Sequence, residues 1–268
     1  MAVEAPDRIH LAFDDTGGGE PALLLVHGHP FDRSMWTPQM AEARRVGWRA
    51  IAPDLRGYGA SAATPGIATL DMLASDVIAL MGRLEVGRAV VCGLSMGGQV
   101  AMEICRQAPD FIAGLLLAAT SPRADSDARR QARLDAADRI ERDGVSEYAN
   151  ELLPTMVAAA GRASGLGVEN TVLAMMRGAN ARGAAAALRG RAQRPGYESV
   201  LRELDVPALV VVGSDDFYTT REGAEATHQL LRRGDLAWLE GVGHLPNLED
   251  PARFNAEIAR LMQRVTQP

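Results

Sequence analysis

The chain has 268 residues, 47% of them hydrophobic, which suits one large α/β core with room for an insertion. Its 34 acidic and 28 cationic side chains are interspersed and leave a net charge of −6, so no basic stripe points to nucleic acid. All of the cationic side chains are Arg, which excludes a Schiff-base lysine, a phosphate-cradling lysine and a Ser–Lys pair.

Residues Met1 to Arg8 carry neither a basic nor an apolar leader segment. No run approaches the roughly 18 apolar residues of a membrane span. A soluble cytoplasmic protein is expected, monomeric or homodimeric, without a membrane or nucleic-acid partner. Ile9 to Asp14 alternates in part and reads as a first strand or hairpin, before a turn at Gly17-Gly18-Gly19. Ala22 to Val26 is a continuous apolar run bounded by Pro21 and Gly28, the mark of a strand buried on both faces. The loop His27-Gly28-His29-Pro30-Phe31-Asp32 follows. A helix is expected over Ser34 to Val46, with Met35, Trp36, Met40 and Ala43 inward. Arg49 to Pro53 is another buried strand, and it ends at the loop Asp54 to Ser61.

Thr69 to Leu84 is the clearest helix, because Leu70, Leu73, Val77, Leu80, Met81 and Leu84 recur at helical spacing. Next, the apolar run Ala89 to Cys92 stops abruptly at Gly93-Leu94-Ser95-Met96-Gly97, and a helical pattern runs to Ala108, where Pro109 ends it. Cys92 and Cys105 flank this turn in apolar surroundings and read as small buried hydrophobes. Ile112 to Ala118 is the next strand.

Residues 123–195 contain no strand-like run. Charged residues and alanines recur there at helical spacing, broken by Gly144, Pro154, Gly161, Gly165 and Gly167. Four short helices are expected, near 126–142, 145–153, 168–178 and 181–192. An insertion there would lie over the sheet's C-terminal edge as a helical cap, residues 121–196, on a core of residues 1–120 and 197–268. Sheet grammar returns at Ala208 to Gly213, followed by a helix from Arg221 to Arg232, a strand from Leu236 to Leu239 and a closing helix from Ala252 to Val265. Alternating strands and helices predict a mostly parallel sheet of about eight strands with right-handed crossovers.

Side chains just past the ends of parallel strands gather along one edge. Ser95, the Asp215–Asp216 pair and His244 all fall at such ends. A serine hydroxyl is a weak nucleophile until a base takes its proton, and that base needs an acid to orient it. Alternatively, Ser95 merely caps the helix after the turn. His10, near the N-terminus, and His228, inside an expected helix, read as structural or exposed. The Met96 amide, directly after Ser95, is a candidate oxyanion donor. His27-x-His29 lacks the companion ligands of a metal site, so no metal is expected. Gly57-x-Gly59-x-x-Ala62 has the spacing of a dinucleotide fingerprint but runs into Ala63-Thr64-Pro65-Gly66 rather than a helix, which rules that role out.

Across its whole length the chain resembles the α/β-hydrolase superfamily. The matching features are the strand order, His27-Gly28-His29-Pro30, Asp54-Leu55-Arg56-Gly57-Tyr58-Gly59, Ser95-Met96-Gly97-Gly98, Gly213-x-x-Asp216 and Gly243-His244. The resemblance implies a nucleophile at Ser95, a base at His244 and an acid at Asp216 rather than Asp215. It also implies a second oxyanion donor at the backbone N–H of His29, and structural roles for Asp54 and Arg56. A serine at the elbow argues against the haloalkane dehalogenases and epoxide hydrolases, which carry an aspartate there. Tyr148 and Tyr197 then read as packing residues.

The chain is most similar to small serine carboxylesterases and 3-oxoadipate enol-lactonase-like hydrolases with a helical cap. That similarity implies cleavage of a small ester or lactone through an acyl-serine, without a cofactor. Carbon–carbon bond hydrolases share Ser-Met-Gly-Gly but typically carry Trp soon after the catalytic His, where this chain has Leu245-Pro246-Asn247. That chemistry, perhydrolase or haloperoxidase activity, and a non-enzymatic ligand receptor are the alternatives. Phe31, Trp36 and Met156 are expected to wall the pocket. Arg123 or Arg177 is either a partner for a substrate carboxylate or part of a solvated face.

Overall fold

The computed structural model describes residues 9–63, 65–159 and 167–266, so the N-terminal octapeptide and the expected helix breakers Gly161 and Gly165 lie outside it. Seven strands form one sheet among the described residues: β1 (Phe13–Asp15), β2 (Ala22–Val26), β3 (Ala50–Pro53), β4 (Ala89–Leu94), β5 (Ile112–Ala118), β6 (Ala208–Gly213) and β7 (Gly234–Leu239). Their spatial order is β1-β3-β2-β4-β5-β6-β7. Every pairing is parallel except that of β1 on β3. This is the α/β-hydrolase fold, with seven strands here rather than about eight. The first strand is also shorter than its pattern suggests. The Ala12 N–H donates to the Ser61 hydroxyl at 2.9 Å, so the ladder begins only at Phe13.

Alternate residues of the central strands point to opposite faces. Leu24, Val26, Val91 and Leu115 meet α2 (Leu70–Arg83) and α3 (Met96–Gln107) on one side. Leu23, Leu25, Val90 and Leu116 meet α1 (Thr37–Val46) and the closing helix on the other. Unbroken apolar strands are therefore buried on both faces, and chemistry is left to the loops at their ends.

Between β5 and β6 the described chain forms α4 (Asp127–Asp143), α5 (Ser146–Met156), α6 (Val168–Gly178) and α7 (Ala181–Arg191). The Ser126 side chain caps α4 by accepting from the Arg129 N–H, and Asn180 caps α7 by accepting from the Gly183 N–H. Ala137 and Ile140 of α4 pack on Ala184 and Leu188 of α7. Alpha-7 also presses directly on the loop after β3, where a Cβ on Gly183 would overlap the Gly57 carbonyl. Helix α8 (Glu198–Glu203) leads into β6, and α9 (Arg221–His228), α10 (Pro246–Glu249) and α11 (Pro251–Thr266) follow that strand. No helix among the described residues is long and apolar enough to cross a membrane.

Candidate active site

Ser95 stands between the last residue of β4 and the first of α3, with φ 55° and ψ −113°. Non-glycine residues rarely adopt this backbone. Here it is held from both sides. The Ser95 N–H donates to the Ala118 carbonyl at 2.9 Å, and the Ser95 carbonyl accepts from the Thr120 hydroxyl at 2.7 Å. The turn is so tight that a Cβ on Gly93 would overlap the Gly97 carbonyl, and one on Gly97 would overlap the Val26 carbonyl. Glycine at both positions is thus a steric requirement of the turn. The adjoining Met96 N–H, at the start of α3, makes no hydrogen bond among the described residues, and neither does the His29 N–H.

His244, after β7, places Nδ1 2.9 Å from Asp216 Oδ1, after β6. Burial favours the neutral Asp216 carboxyl, but the His244 imidazole and the Tyr218 N–H outweigh it and hold the group below the usual carboxylate range. An ionised carboxylate only accepts, so in the neutral imidazole the proton sits on Nδ1 and the lone pair on Nε2. Asp215 faces elsewhere. It accepts from the Ser214 hydroxyl at 2.7 Å, and that hydroxyl accepts from the Gly241 N–H at 2.8 Å, tying the two strand-end loops together.

Two further residues frame His244. The Tyr218 ring meets the imidazole edge-on at 4.9 Å, and its hydroxyl lies 2.7 Å from the Thr155 hydroxyl of α5. Glu249 accepts from the Gly243 and Leu245 N–H groups on either side of His244, both at 3.1 Å, and from the Ala158 N–H at 2.8 Å. Burial pushes the Glu249 carboxyl up. Its sequence position, five residues after His244 in an acidic helix end, gave no signal of this role.

The His27–Asp32 loop is braced by its histidines. His27 Nε2 accepts from the Leu55 N–H at 2.9 Å, which fixes the proton on Nδ1, donated to the Gly28 carbonyl at 2.8 Å. His29 bridges the Tyr58 hydroxyl at 2.7 Å and the Tyr148 hydroxyl of α5 at 3.2 Å. Burial, together with the nearby Arg191 and Arg133, pushes His29 well below the ordinary histidine value, so its ring is neutral. Asp54 accepts from the Arg33 and Ala60 N–H groups at 2.8 Å, and Arg56 pairs with Asp76 at 2.7 Å, which secures the loop after β3.

Ser95, His29 and His244 open onto one cavity of about 450 Å³, roofed by α4, α5 and α7. Met156 lines it. Phe31 and Trp36 do not line it: both are fully buried in the core on the α1 side of the sheet, and the Trp36 ring is 6.1 Å from Phe254. Their apolar pattern expressed packing, not a pocket wall. Tyr148 lines the cavity, contrary to its reading as packing alone, while Tyr197 is buried in the core. Among the arginines, Arg177 donates to Asn150 outside the cavity at 2.7 Å, and Arg123 is exposed. The cavity is lined instead by Arg129, Arg133, Arg191 and Arg194. Among the described residues no group of three or more His, Cys, Asp or Glu could hold a metal ion.

Residues 23–257 match the sequence pattern of the alpha/beta hydrolase family. The chain belongs to that family. Among solved structures, a thermophilic esterase from Thermogutta terrifontis, with malate bound, is 37% identical, with a TM-score of 0.93 over 96% of this chain and 94% of that one. The enol-lactonase of Burkholderia xenovorans LB400 is 26% identical, with a TM-score of 0.87 over 95% of this chain and 97% of that one. The 3-oxoadipate enol-lactonase 2 of Acinetobacter baylyi is 26% identical over 244 residues, 91% of this chain and 89% of that protein. The chain is an α/β-hydrolase enzyme, and its relatives include esterases and enol-lactonases.

Proposed function

We propose that this enzyme hydrolyses a small carboxylic ester or lactone through an acyl-Ser95 intermediate. The observation that carries the reading is that His244, paired with Asp216, opens onto the same cavity as Ser95. In this reading His244 Nε2 takes the Ser95 proton as the hydroxyl oxygen attacks the carbonyl. Asp216 holds the imidazole in the tautomer this requires and stabilises its protonated form. The N–H groups of His29 and Met96, which have no other acceptor among the described residues, receive the developing oxyanion. His244 then returns the proton to the leaving alkoxide, which in a lactone stays attached to the acyl chain. Water, deprotonated by His244, releases the acid. Helices α4, α5 and α7 act as a cap that limits the size of the acyl group. The esterase and enol-lactonase relatives support this choice within the family.

Turnover of p-nitrophenyl butyrate, lost in Ser95→Ala, is the expected result. A fluorophosphonate should form its adduct on Ser95, and an adduct on any other residue would refute the assignment.

A further inference from the structure

The cavity lining is charged in one sense only. Arg129, Arg133, Arg191 and Arg194 line it, and no Asp or Glu does. The nearby carboxylate of Asp125 already serves two guanidiniums. It accepts from Arg133 Nε at 2.6 Å and from Arg194 Nη2 at 3.1 Å. Arg191 has no acidic partner among the described residues. Its Nε donates to the side-chain oxygen of Gln99 at 3.1 Å, and its two Nη groups make no hydrogen bond or ion pair there. Yet Arg191 is only 7% exposed. Burial, together with Arg133 and Arg194, pushes its guanidinium down to about 9, which still leaves it charged at neutral pH.

A buried guanidinium without a counter-charge is costly, and fixed structural arginines are normally matched by carboxylates. Arg133 and Arg194 obey that rule through Asp125, and Arg191 does not. Its fork is the shape that receives a carboxylate through two parallel hydrogen bonds. Gln99 also fixes where that fork stands. The Gln99 N–H bonds to the Ser95 carbonyl at 3.2 Å, so the anchor lies one turn of α3 from Ser95, a rise of about 6 Å.

We propose that the cavity takes a substrate bearing a free carboxylate a few bonds from the reacting carbonyl, seated on the two Nη groups of Arg191. Arg133, whose Nη1 makes no hydrogen bond among the described residues, stands beside it. The natural substrate is then an anionic half-ester or a carboxylated lactone, not a neutral ester. The carboxylate supplies the counter-charge that the protein withholds. The substrate part of this inference rests on the hydrolase reading above; the anion site does not.

Three esters of similar length test it: monoethyl succinate (anionic), ethyl pentanoate (neutral) and ethyl 4-aminobutyrate (cationic). The wild-type enzyme should favour monoethyl succinate over ethyl pentanoate at least tenfold in kcat/KM, with the aminobutyrate ester last. Arg191→Met should reduce that anionic preference at least tenfold, and Arg191→Lys should retain part of it. Separately, glutarate binding to the Ser95→Ala protein is measured by calorimetry. Adding Arg191→Met should raise the glutarate Kd at least tenfold. The proposal is overturned by a wild-type preference for the neutral ester, by a preference that survives Arg191→Met, or by glutarate binding that ignores Arg191. Arg191-dependent glutarate binding without Ser95-dependent ester turnover would retain the anion site and reject the hydrolase reading instead. The wild-type comparison and glutarate titration hold even if Arg191→Met fails to fold.

Discussion

Asp216 Oδ1 lies 2.9 Å from His244 Nδ1, whereas the adjacent Asp215 gives its carboxylate to the Ser214 hydroxyl. Two neighbouring acids thus have separate tasks, one toward the imidazole and one toward the loop. Asp216→Asn should lower kcat for p-nitrophenyl butyrate by about 10³–10⁴-fold, because an amide no longer enforces the tautomer. Asp215→Asn should change kcat by less than about fivefold, since only a surface hydrogen bond is lost. Steady-state kinetics on the two variants side by side decides the matter. The reverse ranking would move the acid to Asp215.

The backbone of Ser95, at φ 55°, stores strain at the point where the chain presents its hydroxyl. Such a conformation costs on the order of 1–3 kcal/mol in a non-glycine residue. Ser95→Gly should relieve it, against a loss of about 0.5–1 kcal/mol from the added freedom of the unfolded chain. A net gain near 1 kcal/mol corresponds to a rise in Tm of about 2–4 °C. Thermal melts of Ser95→Gly and Ser95→Ala, both without turnover, check this. A Tm of Ser95→Gly below that of the alanine variant would contradict it.

Glu249 accepts three backbone N–H groups, two flanking His244 and one from Ala158 beyond α5. Glu249→Ala leaves those donors without an acceptor, at about 1–3 kcal/mol each, offset in part by removal of a carboxyl whose charge burial disfavours. Tm should fall by roughly 5–10 °C. With His244 less firmly held, kcat should fall about tenfold while KM moves little, as expected of a residue that positions the base rather than touching substrate. A change confined to KM would reject the positioning role.

Asp125 is the sole acid among Arg133, Arg191 and Arg194 within the described site. Burial raises its carboxyl, but the three arginines together outweigh that and hold it below the usual carboxylate range. A depressed folded value means that the ionised group stabilises the fold above the unfolded value, near 3.9. That contribution is lost as pH falls through the folded value. Asp125→Asn should therefore lower Tm clearly at pH 7, and the gap to wild type should close as pH drops below about 4. A gap that stays constant across this range would mean that Asp125 acts through packing alone.

The fold could be read from the sequence because its strands are uninterrupted apolar runs and its turns are fixed by glycines that tolerate no side chain. Ser95, Asp216 and His244 could be expected along one edge because each falls just past a strand, where a short motif and the topology agree. Phe31 and Trp36 misled because apolar residues near a site look the same whether they face a cavity or the far side of the sheet. Arg191 and Glu249 escaped notice for the opposite reason. Arg191 is held by Gln99, distant in sequence, and Glu249 joins two nearby N–H groups to that of Ala158, far earlier in the chain; no local pattern encodes such bonds. The first strand is shorter than its pattern suggests because at Ala12 a serine hydroxyl takes the backbone N–H.

Gly183 and Gly57 touch with no side chain between them. At this point the helix that ends in Arg191 therefore meets the loop after β3 main chain to main chain, with no rotamer there to give way. On the proposal above, the span from the Arg191 fork to Ser95 works as a ruler whose length is set by the backbone. Substrates would be graded by the number of atoms between carboxylate and carbonyl, and chains one methylene too long or too short would be refused without any steric gate.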